Sequence, residues 1–412
     1  MKKLLPLFIL LLISSAAQAQ SLNDYLQIAA QENAGLKAKY NLYLAALEAM
    51  DQQASLPDPT LSFGYFISPV ETRVGPQRFR FSLTQMFPWK GTLSLKKQAA
   101  AHLAQMRFEE FMQAKNELYH QVKLKWLSLY ELEQEMRITE ENLAILKTYE
   151  PVTQTKYEAN LVSLSDLVRV QINIDEESTH RDLLLLKRKP LQSDFNTLLN
   201  RAPDLGVSIT DSLSNQQDQP LNLDSLMANQ PALKTARLNI ELAKTEEKLA
   251  EKLRKPNLGF GLDYAFVSKR SGQTIDDNGK DILMPMVSMS LPVFGKKNRA
   301  LKKSAALKKA SAENLLEHTE KQYQNQWINT SYKLESAERE LALYKSEIEK
   351  TNLFLRVLIT EYTNHNREFE EVLATQQRLL AIRLAQVKAS VQYQAALFER
   401  EFLTASTLSE FE

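Results

Sequence analysis

The sequence predicts a mainly α protein with a β portion suited to a membrane. One unit of helix, strand pair and long helical hairpin is used twice. Three observations carry this: an internal repeat, two pairs of alternating apolar strands, and helical stretches longer than a globular domain needs. Leu56, Pro59, Leu61 and Phe63 recur 197 residues later as Leu253, Pro256, Leu258 and Phe260. Further on the offset is 205, so that Trp89 matches Phe294, Tyr157 matches Tyr362, Leu167 matches Val372 and Gln171 matches Gln376. The eight extra residues belong between the strands of the second copy, in the polar stretch Ser268 to Lys280. Duplication at this scale implies two copies of one structural unit packed side by side.

The elements follow in order. Lys2 and Lys3, the apolar run Leu4 to Ile13, and Ala17-Gln18-Ala19 read as a secretory signal over 1–19, with the first repeat spanning 20–203. Residues 22–55 read as one helix. It stops at Leu56-Pro57-Asp58-Pro59, where two prolines remove donors and force extended backbone before them. The period then becomes two. Leu61, Phe63, Tyr65 and Ile67 alternate with Thr60, Ser62, Gly64 and Phe66, and after a turn Phe79, Phe81 and Leu83 alternate with Arg78, Arg80, Ser82 and Thr84. In the second repeat, 221–412, Leu258, Phe260, Leu262, Tyr264 and Phe266 alternate with Asn257, Gly259, Gly261, Asp263 and Ala265. The fourth strand, about Ile282 to Leu291, alternates poorly, and its apolar face is open at this level.

Behind each strand pair lies a long helix. Thr92 to Glu150 contains no proline or glycine, which at 1.5 Å per residue is about 90 Å of helix. Leu129, Leu132, Met136, Thr139, Leu143 and Leu146 are spaced 3-4-3-4-3, and Leu334, Ala337, Leu341, Tyr344, Ile348 and Thr351 repeat them 205 residues on. Sustained seven-residue spacing is a coiled-coil seam. Polar breaks at Ala159-Asn160 and Asn364-His365-Asn366 turn each helix back, to about Asn200 and Ala405. A polar linker, 204–220, joins the copies.

Composition excludes several classes. There is no cysteine, so lipidation at a terminal Cys, disulfides and thiolate metal sites are closed. No further apolar run is long enough for a membrane helix. Without Lys2 and Lys3 there remain 49 basic against 50 acidic side chains, and no basic excess points to nucleic acid. The five histidines form no His-Glu-x-x-His pair, and Gly259 and Gly261 lack the third glycine of a dinucleotide loop. We therefore expect neither enzyme activity nor a cofactor. Met284, Met286 and Met289 could bind a soft cation, but methionine is ordinary apolar filling, and no metal site is assigned.

Four strands cannot bury both edges. Either they form a small sheet packed on the helices or an exposed β domain, or several chains pool their hairpins in a closed barrel. Closure removes edges and is the way strands cross lipid. In that case Phe63, Tyr65, Phe81, Phe260 and Tyr264 face lipid, while Arg80 and Asp263, with Arg78 and Thr84, face the lumen.

The layout resembles the TolC-like outer-membrane efflux family over essentially the whole mature chain. Gln85-Met86-Phe87-Pro88-Trp89-Lys90-Gly91 and Ser290-Leu291-Pro292-Val293-Phe294-Gly295-Lys296 are similar to the family's segments joining strand to long helix. Tyr157-Glu158-Ala159-Asn160, followed by Ser165-Asp166-Leu167-Val168, resembles its Tyr-x-x-Gly tip. Tyr362 opens the second tip, and Glu371-Val372-Leu373-Ala374 follows. Asn160 and His365 stand where the family has glycine, and Glu371 and Ala374 stand where many relatives have two aspartates.

The resemblance implies a homotrimer with a 12-stranded β-barrel in the outer membrane, continued by an α-helical coiled-coil tunnel in the periplasm. It implies a passive exit duct fed by an inner-membrane efflux transporter through a periplasmic adaptor. Glu371, with Glu370 as neighbour, is then the periplasmic gate. The adaptor docks at the tips, around Asn160, Leu161 and Val162 and around Asn364, His365 and Asn366. The competing reading is a soluble periplasmic coiled-coil adaptor or scaffold, for which a compact β domain between hairpin arms is expected.

Overall fold

The computed structural model describes residues 21–209, 213, 223, 228–272, 274–363 and 368–409. The signal segment 1–19 and the second tip residues Asn364, His365 and Asn366 lie outside the described residues, as does most of the linker 204–220. In chain order the elements are α1 (Leu22–Glu32), α2 (Ala34–Ala54), β1 (Thr60–Thr72), β2 (Gly75–Phe87), α3 (Thr92–Glu158) and α4 (Leu164–Leu198). After them come α5 (Pro231–Lys252), β3 (Leu258–Val267), β4 (Ile282–Met289), α6 (Gly295–Thr363), α7 (Phe369–Thr404) and α8 (Ser406–Ser409). The chain divides into two compact units. One is Lys39–Phe111 with Ala232–Glu320 and carries all four strands. The other comprises the described residues of Met1–Ala38, Met112–Pro231 and Lys321–Glu412 and carries the first hairpin tip.

The single helix expected over 22–55 is two. Asn33 interrupts it with φ −61° and ψ 118°. Its side-chain oxygen accepts the Leu36 N–H, capping α2, while its amide donates to the Leu198 carbonyl. Asparagine competes in this way with the helical backbone. The second repeat makes the same bond with a different residue. Gln230, 197 positions after Asn33, donates to the carbonyl of Leu403, 205 positions after Leu198. Asn200 and Ala405, also 205 apart, both adopt φ 53° past the end of a return helix.

The seam residues of the first copy, Leu129 to Leu146, are all buried. In the second copy Leu334, Ala337 and Thr351 are buried, whereas Leu341, Tyr344 and Ile348 are half-buried. Nearby Ile328, Tyr332, Leu343, Leu353 and Phe354 are exposed on α6. Near the tips, Leu146 of α3, Val170 of α4, Leu355 and Leu358 of α6, and Phe369, Val372, Leu373 and Leu379 of α7 make one core. Heptad spacing therefore places side chains of four helices in a common interior.

The strands form one antiparallel sheet in the order β1-β2-β3-β4, leaving β1 and β4 as edges. The two-residue connection between β1 and β2 contrasts with the long connection after β3, as the position of the inserted residues requires. Gly75 opens β2 with φ 133°, a conformation that only glycine adopts without strain.

Candidate functional site

Residues opposite one another in a sheet share a face. Phe63, Phe81, Tyr264 and Leu283 form one cross-strand row, and Leu61, Leu83, Leu262 and Pro285 form the next on the same face. Tyr65, Phe79 and Phe266, and Gln85, Phe260 and Val287, extend that face in both directions. It is aromatic and open: Phe63 is 61 % exposed, Tyr65 56 % and Phe260 52 %. The rings touch in sequence, Phe63 lying 5.1 Å from Phe81, Tyr65 5.4 Å from Phe79, and Phe260 5.7 Å edge-on from Phe87. Such pairs add stability beyond their area.

The opposite face carries mostly small and polar side chains on β1 to β3 and larger apolar ones on β4. Its rows are Ser62, Ser82, Asp263 and Met284; Gly64, Arg80, Ala265 and Ile282; and Thr60, Thr84, Gly261 and Met286. Asp263 is only 3 % exposed and is ion-paired to Arg80, one diagonal step away. Phe63, Tyr65, Phe81, Phe260 and Tyr264 lie on the aromatic face, and Arg80 and Asp263 on the other. The register also assigns the fourth strand, which sequence left open. Leu283, Pro285, Val287 and Met289 lie on the aromatic face, and Met284 and Met286 on the polar one. Arg78 departs from the expectation. Pairing slips between Gln77 and Phe79, so Arg78 is a bulge residue and the alternation does not fix its face.

At the first tip, α3 ends in a Schellman turn. The N–H of Asn160 bonds the Tyr157 carbonyl, the N–H of Leu161 bonds the Lys156 carbonyl, and Asn160 has φ 56°. Asparagine thus fills the position a glycine would take. Ser163 then caps α4, in a reciprocal box with Asp166. Between these two caps Leu161 is 58 % exposed and Leu164 is exposed as well, whereas Val162 is half-buried.

The start of α7 carries both candidate gate glutamates, and they differ. Glu370 is exposed and paired with Arg169 of α4 at 2.6 Å. Glu371 is half-buried one residue on. Further polar links hold α7 to the first hairpin. Gln376 donates to Asn142 at 3.0 Å, Gln377 donates to Asn173 at 2.6 Å, and Arg383 pairs with Glu141. Asn142 in turn donates to Glu177, whose carboxyl burial pushes above the usual carboxylate range. The Lys156 ammonium sits 3.5 Å from the centre of the Tyr362 ring, and desolvation lowers its pKa. Sequence reasoning missed these links. The available signal was Gln376, which occupies a core position in the 3-4-3 series Phe369, Val372, Gln376, Leu379. A buried amide needs a partner.

Among the described residues no helix is long and apolar enough to cross a membrane, and no group of three or more His, Asp or Glu is placed to hold a metal. The model of the outer membrane efflux protein family matches residues 222–399, inside the second repeat. Among solved structures the chain is similar to the outer membrane protein VceC of Vibrio cholerae, at 13 % identity and TM-score 0.77, covering 93 % of this chain and 95 % of that one. It is similar to the CmeC outer membrane channel of Campylobacter jejuni, at 12 % and 0.75, covering 96 % and 93 %. It is likewise similar to the MtrE outer membrane channel of Neisseria gonorrhoeae, at 14 % and 0.74, covering 93 % and 88 %. At these identities the likeness is one of fold. A comparison with curated protein sequences finds no match.

Proposed function

We propose that the chain is a TolC-like outer membrane efflux protein, the outer-membrane exit duct of a tripartite efflux pump. The sheet carries this reading. It has one exposed aromatic face, one polar face with a paired charge, and two open edges. Lipid suits the first face and water the second, while a second and third copy of the chain close the edges. Three chains of four strands make a twelve-stranded barrel. The exposed apolar residues of α6 supply the matching contact between helical hairpins. The long helices form the periplasmic tunnel, an inner-membrane transporter supplies energy and cargo, and a periplasmic adaptor engages the tips.

Glu371 is the inward gate residue in this reading. Glu370 serves as a side-to-side tether, because its carboxylate is engaged by Arg169 on the neighbouring hairpin. Three Glu371 carboxylates around a threefold axis in a low-dielectric wall would focus a negative field, favour cations and admit a blocking divalent ion. Opening is then a swing of α7 away from the first hairpin, with loss of the Arg169, Asn142 and Asn173 links.

Membrane fractionation with comparison of boiled and unboiled gel migration tests the assembly. An outer-membrane, SDS-resistant oligomer is expected, and a soluble monomer refutes the duct. The chain has no native cysteine, so Glu371→Cys tests the gate. A short bifunctional thiol reagent should join subunits and stop efflux until reduced. Cross-linking at Glu370→Cys but not at Glu371→Cys moves the ring by one residue, and failure at both removes it.

A further inference from the structure

The strand ends that meet the helices are followed by a run of positive charge that the duct reading leaves unused. The four strand ends on this side, 51–59, 88–97, 252–257 and 290–303, carry eleven Lys or Arg against two acidic residues, Asp51 and Asp58. The opposite strand ends, 71–78 and 268–281, carry five basic and four acidic residues, with Arg270 paired to Glu71. The asymmetry is therefore local to one rim of the sheet.

Compensation inside the protomer is slight. Lys97 pairs with Asp51. Lys90, Lys255, Lys296, Lys297, Arg299 and Lys303 are exposed and form no ion pair among the described residues. The charges also adjoin apolar surface. Trp89, Leu291, Val293 and Phe294 are exposed, the last 72 %, immediately beyond the final aromatic-face row of Phe87, Leu258 and Met289. At about 3.3 Å per residue, Lys90 and Lys255 lie within about 10 Å of that row, a headgroup's depth below hydrocarbon. Uncompensated like charges repel one another, and an anionic partner relieves that repulsion.

We propose that this rim is a binding surface for the phosphate headgroups of anionic phospholipids in the leaflet next to the helices. The inference rests on the reading that the aromatic sheet face meets lipid. Exposed apolar side chains enter the acyl boundary, and the ammonium and guanidinium groups directly below take the phosphates. An aromatic band flanked by basic groups holds the barrel at a fixed depth.

Tryptophan quenching by brominated lipids tests this on the mature chain reconstituted in bilayers. Trp89 lies in the rim, and the Trp89→Phe variant gives its share of the signal. Brominated phosphatidylglycerol and brominated phosphatidylcholine are compared. The wild type should favour phosphatidylglycerol at Trp89 by about five-fold at low salt, and the preference should fall towards unity in 0.5 M salt as the contacts are screened. The triple variant Lys296→Gln, Lys297→Gln, Arg299→Gln should lose most of it. Unboiled gel migration checks assembly, with Lys90→Gln, Lys255→Gln as a second variant should the first fail to assemble.

Absence of Trp89 quenching by brominated phosphatidylcholine would mean that the sheet does not meet lipid, and the duct reading itself falls. Equal quenching by the two lipids in the wild type would leave the barrel standing and overturn the headgroup site. A preference that survives both variants would overturn it as well. So would variants that alter ion selectivity in planar bilayers while leaving the lipid preference unchanged, because the charges would then line the lumen.

Discussion

Placing one charge on the aromatic sheet face tests the barrel reading most directly. Phe260 is 52 % exposed, sits in a row with Gln85 and Val287, and stacks edge-on against Phe87. Phe260→Arg puts a guanidinium one row inside the hydrocarbon edge, where the cost lies between the midplane figure of about 2–4 kcal/mol and the about 0–1 kcal/mol of the interface, so about 1–3 kcal/mol. It also removes the ring contact, worth about 0.5–1.5 kcal/mol. The total is about 1.5–4.5 kcal/mol per chain, a factor of about 10 to 10³ in the insertion equilibrium. Urea titration of folding into vesicles, read by gel migration, measures the shift. Thr84→Lys is the partner experiment, because Thr84 lies on the polar face opposite Gly261 and a lumen-facing cation should cost well under 1 kcal/mol. Normal insertion of Phe260→Arg together with failure of Thr84→Lys would reverse the faces. Equal, small effects from both would place the sheet outside lipid altogether. Asp263 is not a neutral control, because Asp263→Arg would bury a second cation beside Arg80.

Three other outcomes follow from the helical unit. Arg169→Gln should leave assembly stable, since an exposed pair contributes at most about 1 kcal/mol, yet raise the frequency of open events in planar bilayers; an unchanged closed state would show that Glu370 does not restrain α7. Leu161→Asp should abolish efflux without reducing the assembled protein, and it is a sharper probe than half-buried Val162; full efflux would exclude this tip from the adaptor contact. His120 stacks on Phe402 at 4.9 Å, and burial, the largest cause, depresses its pKa, as does Lys123, while Glu399 and Glu401 oppose the shift. A depressed histidine is neutral when folded but binds a proton when unfolded, so its stabilising share is complete above about pH 6.5 and shrinks as pH falls below that value. His120→Phe should flatten the fall in melting temperature between about pH 6.5 and 5, and an unchanged slope would assign that fall to carboxylates instead.

Much of the architecture was legible because it depends on period. Alternation by two set the strand faces, and Phe63, Tyr65, Phe81, Phe260 and Tyr264 needed only that pattern to be separated from Arg80 and Asp263. Seven-residue spacing set the seam from Leu129 to Leu146. The offsets of 197 and 205 set the duplication, and the same offsets reappear in the bonds made by Asn33 and Gln230. Asn160 could be placed at a turn because few residues tolerate positive φ.

What the sequence by itself determined is therefore local and periodic: which stretches are helix or strand, which side chains share a face, and where helices stop. Tertiary structure decided the rest, because those contacts join residues far apart in the chain. The face of β4 came from its register against β3, since Pro285 and the clustered methionines blur the alternation. The helix break at Asn33 came from a carbonyl 165 residues away. The pairing of Glu370 came from Arg169, a side chain on another hairpin that no spacing rule connects to it. Period reports the direction in which a side chain points along its own element, whereas a partner is fixed only once separate elements have packed together.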